Sequence, residues 1–249
     1  MITLKSSREL DIMRDASKIV AEVLLELRAH CVPGVRTSDL DRIAEEYTKK
    51  QGGQPAFKGY RGFPKSLCAS VNQEVVHGIP RNRGLLDGDI VGLDFGAVYN
   101  GYYGDAAITV PIGKVTPDVE KLLRTTEESL YLGIEQMLAN NHLSDISRAI
   151  QRHAESHGYS VVKELGGHGI GKKLHEDPMV LNYVVNGRGI KLRPGLVLAV
   201  EPMVNMGTDQ VRVMSDGWTV VTLDGKPSAH FEHTVAITEK TPEILTKVS

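Results

Sequence analysis

The chain has too few cysteines for a disulfide framework: Cys31 and Cys68 are its only two. Reduced thiols in a reducing compartment are the expectation. It also lacks an excess of charge of either sign. Lys and Arg number 29 against 31 Asp and Glu, a net charge of -2, so there is no basic footprint and no nucleic-acid specificity is expected. No apolar run approaches the ~20 residues needed to span a bilayer. Met1-Ile-Thr-Leu-Lys carries no continuous apolar core of the kind a signal peptide needs before its charges begin. Together these absences point to a cytoplasmic protein with no membrane partner. What is present is ordinary globular material, 41% hydrophobic and 24% charged over 249 residues, which allows a sizeable core.

Hydrophobic periodicity and stop signals organise that material. Ser6 with Glu9 makes a capping-box pattern. Leu10, Met13, Ile19, Val20, Val23, Leu24 and Leu27 then recur at helical spacing until Pro33-Gly34. Thr37 or Ser38 starts a second helix, with Leu40, Ile43, Ala44 and Tyr47 on one face and Gly52-Gly53 at its end. Short Val- and Ile-rich strands follow. The order then recurs. Thr116-Pro117 caps a long helix carrying Leu122, Leu123, Leu130, Ile134, Met137 and Leu138, and Ser144 starts a shorter helix ending near Gly158. Residues repeat as well as elements. Ser38-Asp-Leu-Asp-Arg42 matches Ser144-Asp-Ile-Ser-Arg148, and the segment ending in Asp94 resembles the segment ending in Glu201, at nearly equal offsets. His77-Gly-Ile recurs as His168-Gly-Ile at a different offset. The expectation is a duplicated α/β (α+β) unit, with pseudo-repeats at about 6–110 and 116–240 in one catalytic domain spanning 1–249. The halves share an antiparallel sheet about a pseudo-twofold, flanked by two helix pairs.

Five acidic or imidazole residues stand in settings that need explanation. Asn100-Gly101 is a strong two-residue hairpin signal. With that turn, Asp105 faces Gly96 and Asp94 faces Ala107, which places both aspartates on one face of the hairpin as diagonal neighbours. Their surroundings (Ile90, Val91, Leu93, Ala106, Ala107, Ile108) are apolar, and uncompensated buried carboxylates are costly. His168 sits among Gly166, Gly167, Gly169 and Gly171, which allow close backbone approach and positive φ. The same stretch imitates a P-loop, but Lys173 stands where Ser or Thr is required. Glu201 and Glu232 interrupt apolar runs, positions that call for a partner charge or a metal. One imidazole with four carboxylates suits hard or borderline divalent ions, and four carboxylates suit two ions with bridging ligands. The other histidines, His30, His142, His153, His157 and His230, read as surface or packing residues. His233 alternates away from Glu232.

In this order and spacing the segments resemble the type I methionine aminopeptidases across nearly the whole chain. The resemblance includes Phe63-Pro-Lys-Ser, Asn72-Gln-Glu-Val-Val-His77-Gly-Ile-Pro80, His175-Glu-Asp-Pro178 and Asp216-Gly-Trp218-Thr-Val-Val-Thr. It implies the duplicated "pita-bread" fold and two divalent ions drawn from Co, Mn, Fe or Zn. Asp105 and Glu232 would bridge them, Asp94 would complete one shell, and His168 with Glu201 the other. Glu201 would shuttle the proton of the attacking water, His175 would bond the scissile carbonyl, and His77 would position the peptide. Phe57, Tyr60, Phe63, Cys68 and Trp218 would line the methionine pocket. Leu174 stands where the family commonly has Phe, and Phe63 where Tyr is common. The implied partners are nascent polypeptide N-termini with a small second residue and a transient ribosome contact, served by a bacterial-type monomer. Two rivals share the scaffold. An X-Pro aminopeptidase or prolidase usually carries a large extra N-terminal domain, and an inactive binding protein usually loses metal ligands.

Overall fold

The computed structural model describes residues 2–247. Helix α1 (Ser7–His30) begins with the expected reciprocal cap, in which Ser6 Oγ accepts from the Glu9 N–H and the Glu9 carboxylate accepts from the Ser6 N–H. Its buried Met13, Ile19, Val20, Val23, Leu24 and Leu27 form one stripe. Helix α2 (Thr37–Lys50) is tied at its start to a distant segment, since the Thr37 hydroxyl donates to the Arg81 carbonyl and accepts from its N–H. Helix α3 (Pro117–Glu135) starts behind Thr116, whose hydroxyl accepts from the Val119 N–H. Helix α4 (Leu143–Ser156) starts one position before the expected Ser144, because the Asp145 carboxylate accepts from the His142 N–H and closes the turn there. Helices α2 and α4 have 14 residues each, and their starts are as far apart as Ser38 and Ser144.

The hairpin forms in the expected register. Strands Ile90–Tyr99 and Tyr102–Pro111 pair with Asp94 opposite Ala107 and Gly96 opposite Asp105. Asn100 and Gly101 both take positive φ, as this turn demands. Gln54–Pro55 and Cys68–Val71 complete that sheet. The second main sheet runs Glu243–Ile244, His233–Ala236, Val197–Val200, Gly166–Gly169, Glu176–Leu181. The two sheets are joined at the Ala107–Glu232 bridge. Glu232 N–H donates to the Ala107 carbonyl at 2.9 Å, Ala107 N–H donates back at 3.3 Å, and the Thr234 hydroxyl bonds both backbone groups of Asp105.

Strand alternation then decides which side chains go where. Leu93 and Phe95 pack with Val20, Val23 and Leu27 of α1, and so do Ala106 and Val110. Asp94 and Asp105 must therefore point to the other face. Across the bridge, Leu198 and Val200 pack with Leu130 and Ile134 of α3 and Ile146 and Ile150 of α4. Glu201 is thereby turned toward the same inner side, with His168, whose strand partner is Ala199. Ala229 and Phe231 also go to the helices, leaving His230 and Glu232 on the inner side. Each helix-covered face thus forces its acidic neighbours onto the opposite one, where a third cluster with Phe57, Phe63, Cys68, Leu174 and Val197 packs. Among the described residues no helix is long and apolar enough to cross a membrane.

Candidate metal centre

Asp94, Asp105, His168, Glu201 and Glu232 line one cleft of about 630 Å³, its open mouth included. Asp105 and Glu232 are only 4% and 2% exposed, so their carboxyl groups have almost no access to water. Among the described residues neither Lys nor Arg pairs with any of the four carboxylates; the ionisable partners recorded are His168 and His230. Desolvation consequently pushes Asp94 up to about 7 and Glu201 up to about 8, the Asp94 charge adding to the rise of Glu201. Asp105 and Glu232 are raised well above the carboxylate range by burial first and by neighbouring carboxylates second. Asp94 Oδ1, Asp105 Oδ1, Glu232 Oε1 and His230 Nε2 are buried and make no hydrogen bond. Such a cluster is costly without cations and suits divalent ones.

The imidazole of His168 is already set as a ligand. Its Nδ1 lies 2.9 Å from the Gly169 carbonyl, which can only accept, so Nδ1 carries the hydrogen and Nε2 keeps its lone pair. Nε2 lies 3.7 Å from Glu201 Oε1. The donor atoms of Asp105, His168 and Glu232 all fall within 4.8 Å of one another, and so do those of Glu201, His230 and Glu232. Donors of this type and spacing fit divalent ions.

The glycines around His168 serve close approach alone. None of Gly166, Gly167, Gly169 and Gly171 is among the positive-φ residues. A Cβ on Gly167 would collide with the Ala199 carbonyl oxygen, and one on Gly169 with that of Asp177. Strand pairing this tight leaves no room for a side chain at either position.

The remaining walls are aromatic and imidazole. Phe63 meets Trp218 edge to face at 5.1 Å, and His77 meets the same indole at 6.4 Å. His77 has φ of 58°, a left-handed conformation unusual for a side-chain-bearing residue. His175 stacks on Tyr60 at 5.3 Å, its Nδ1 lies 2.9 Å from the Tyr60 hydroxyl, and its ring is 4.2 Å from that of His168. Partial desolvation, then the nearby His168 and Arg61, hold His175 below the ordinary imidazole range. Cys68 is buried, and its thiol is pushed well up by desolvation and by Asp94. It is therefore not a thiolate nucleophile.

Comparison with known proteins agrees with this chemistry. The model of metallopeptidase family M24 matches residues 11–239. The chain belongs to metallopeptidase family M24. Among curated relatives, the methionine aminopeptidase 1 of Bacillus subtilis is 54% identical over 248 residues, covering all of both chains. The crystal structure of a methionine aminopeptidase from Thermotoga maritima superposes with a TM-score of 0.98 at 46% identity, again over all of both chains. A prolidase from Pyrococcus furiosus shares the fold, with a TM-score of 0.81 at 21% identity, and this chain covers 66% of it.

All twelve residues singled out from the sequence of this M24 metallopeptidase, five ligands, His77, His175 and five pocket residues, line the one cleft. Two neighbours were missed. Arg61 joins the wall and lies over the Tyr60 ring at 5.4 Å. His230, read from the sequence as a surface or packing residue, is 3% exposed and presents Nε2 to Glu201 Oε2 at 3.7 Å. Alternation along Ala229-His230-Phe231-Glu232 was the available signal, since residues two apart on a strand share a face. His233 does turn away, as expected, to Thr246 and Tyr131.

Proposed function

We propose that this M24 metallopeptidase removes the N-terminal methionine from nascent polypeptides whose second residue is small, using two divalent ions. The observation that carries this reading is the cluster of four carboxylates, Asp105 and Glu232 among them buried, with His168 and, among the described residues, no Lys or Arg counterion, beside an aromatic, thiol-lined cleft. Relatives named methionine aminopeptidase over their full length support it. Asp94, Asp105, His168, Glu201 and Glu232 would hold the ions. When bound, the ions act as Lewis acids and lower the pKa of water toward neutrality.

The protein's own groups do the rest. Glu201, whose carboxylate stands beside His168 in the cleft, takes the proton of the attacking water and returns it to the leaving amine. His175 Nδ1 pairs with the Tyr60 hydroxyl at 2.9 Å; in the tautomer where that hydroxyl donates, the Nε2 hydrogen bonds the scissile carbonyl and its developing negative charge. His77, braced against Trp218, positions the peptide. Phe57, Tyr60, Phe63, Cys68 and Trp218 receive the methionine side chain, since a thioether packs well against rings. The enzyme works in the cytoplasm as a single-domain monomer on chains leaving the ribosome, with Co, Mn, Fe or Zn chosen by availability.

Turnover after metal removal and reloading tests this. The stripped protein is supplied with Mn²⁺ or Co²⁺ and offered Met-Ala-Ser, Met-Lys-Ser and Ala-Pro-Ala. Metal-dependent release of Met from Met-Ala-Ser alone is expected. Cleavage confined to Ala-Pro-Ala would reassign the protein to the X-Pro hydrolases, and metal binding without any cleavage would make it a binding protein.

A further inference from the structure

His230 occupies the end of strand Ser228–His230 and is fixed there from both sides. Its N–H donates to Thr109 Oγ1 at 2.9 Å, and the same hydroxyl donates to its carbonyl at 2.7 Å. Its ring lies on the inner face with Glu232, because Ala229 and Phe231 are committed to the helix-covered core. The ring ends in an unpartnered Nε2 buried at the centre of the acidic cluster. That atom is 3.7 Å from Glu201 Oε2 and 3.9 Å from Glu232 Oε2.

Those separations discriminate between two roles. A hydrogen bond from an imidazole N–H to a carboxylate measures about 2.7–3.2 Å, shorter than either contact. Two donors bound at about 2.0–2.2 Å to one ion stand roughly 3–4 Å apart at ordinary coordination angles. His168 Nε2 stands at the same 3.7 Å from the other oxygen of Glu201. Resting on the dinuclear reading above, we propose that His230 is a sixth ligand, binding through Nε2 the ion that Glu201 and Glu232 share. The centre then contains two imidazoles. The ion gives a partner to a buried orphan, His230 Nε2. A second imidazole makes the ligand set more nitrogen-rich, which favours Co²⁺ and Zn²⁺ over Mn²⁺.

The test reads ligation rather than activity. In the Co²⁺-loaded wild-type enzyme, proton NMR with ¹⁵N-labelled histidine counts the imidazoles bound directly, because their ring N–H signals are strongly shifted by the ion. Two such rings are expected, and one after His230→Gln or His230→Ala. Equilibrium dialysis of both variants should show one of two Co²⁺ ions held more than about tenfold more weakly, the smallest effect typical of groups around a metal, with a smaller loss for Mn²⁺. Two bound ions with one ligating imidazole in the wild type would overturn the role of His230 and leave the dinuclear reading standing. Failure of the wild type to bind Co²⁺ at all would overturn both. The wild-type count decides the matter even if neither variant folds.

Discussion

At the scale of single residues, the cleft separates groups that act on the peptide from groups that only shape its pocket. His175 is the clearest actor. It stacks on Tyr60, bonds the tyrosine hydroxyl through Nδ1, and stays neutral because its surroundings hold its pKa down. Removing one preorganised donor to a developing oxyanion costs about 10²–10³ in kcat. His175→Ala should therefore fold, bind two ions, and lose about that much kcat on Met-Ala-Ser. Tyr60→Phe should lose less, since the stacking remains and only the orienting bond goes. An unchanged kcat in His175→Ala would remove it from the carbonyl. Cys68 makes the opposite case. Its buried thiol is held protonated by desolvation and by Asp94, so Cys68→Ser should retain substantial activity, and complete inactivity in a folded, metal-loaded variant would revive a thiol mechanism. His230 is illegible as a site residue from its immediate neighbours alone. Its meaning comes from strand phase, the bridge to Ala107 and a neighbour, Glu201, that is distant in sequence.

At the scale of elements, the parts legible in the sequence were those fixed by local chemistry. The Ser6–Glu9 cap, the Thr116 cap and the Asn100-Gly101 turn each depend on a few adjacent residues, and each formed as expected. The turn alone set the register that brings Asp94 and Asp105 to one face. What could not be read was the joint between halves, because the Ala107–Glu232 bridge and the Thr234 hydroxyl on Asp105 are long-range pairings without a sequence signal. The start of α4 also escaped, since the Asp145 side chain reaches back to His142 rather than to Ser144. The glycine run is legible, but its cause is close strand contact and not positive φ. Gly167→Ala tests that account. The new methyl group would strike the Ala199 backbone carbonyl, which has no rotamer to yield. Overpacking of this kind costs typically 1–3 kcal/mol, so the urea midpoint should fall. Retained Co²⁺ should fall with it, because the displaced strand carries His168. A variant as stable as the wild type would show that the two strands can separate without cost.

At the scale of the whole molecule, the acidic cluster makes stability depend on pH and metal together. Asp94 rises to about 7 and Glu201 to about 8 in the folded protein, and Asp105 and Glu232 move in the same direction, whereas ordinary carboxyl groups lose their protons near 4. Between those limits the folded chain without metal binds more protons than the unfolded chain. Its stability is therefore full below about pH 4 as far as these groups are concerned, and declines as pH rises through 7 and 8. Metal reverses the trend, because ions bind the deprotonated carboxylates and displace their protons. At a hundred times its dissociation constant an ion adds about 2.7 kcal/mol. For a chain of this size that is roughly 5–11 °C in Tm. Chelator-treated protein should thus melt lower at pH 8 than at pH 5 by the contribution of this cluster. Added Mn²⁺ should raise Tm by that amount at pH 8 and by much less at pH 5. Thermal melts of the Asp105→Asn variant tie the rise to this centre, since that variant should lose most of the Mn²⁺-dependent rise. If instead the wild-type rise were as large at pH 5 as at pH 8, the carboxylates would not be holding protons in the metal-free fold, and the electrostatic account of the cleft would be wrong.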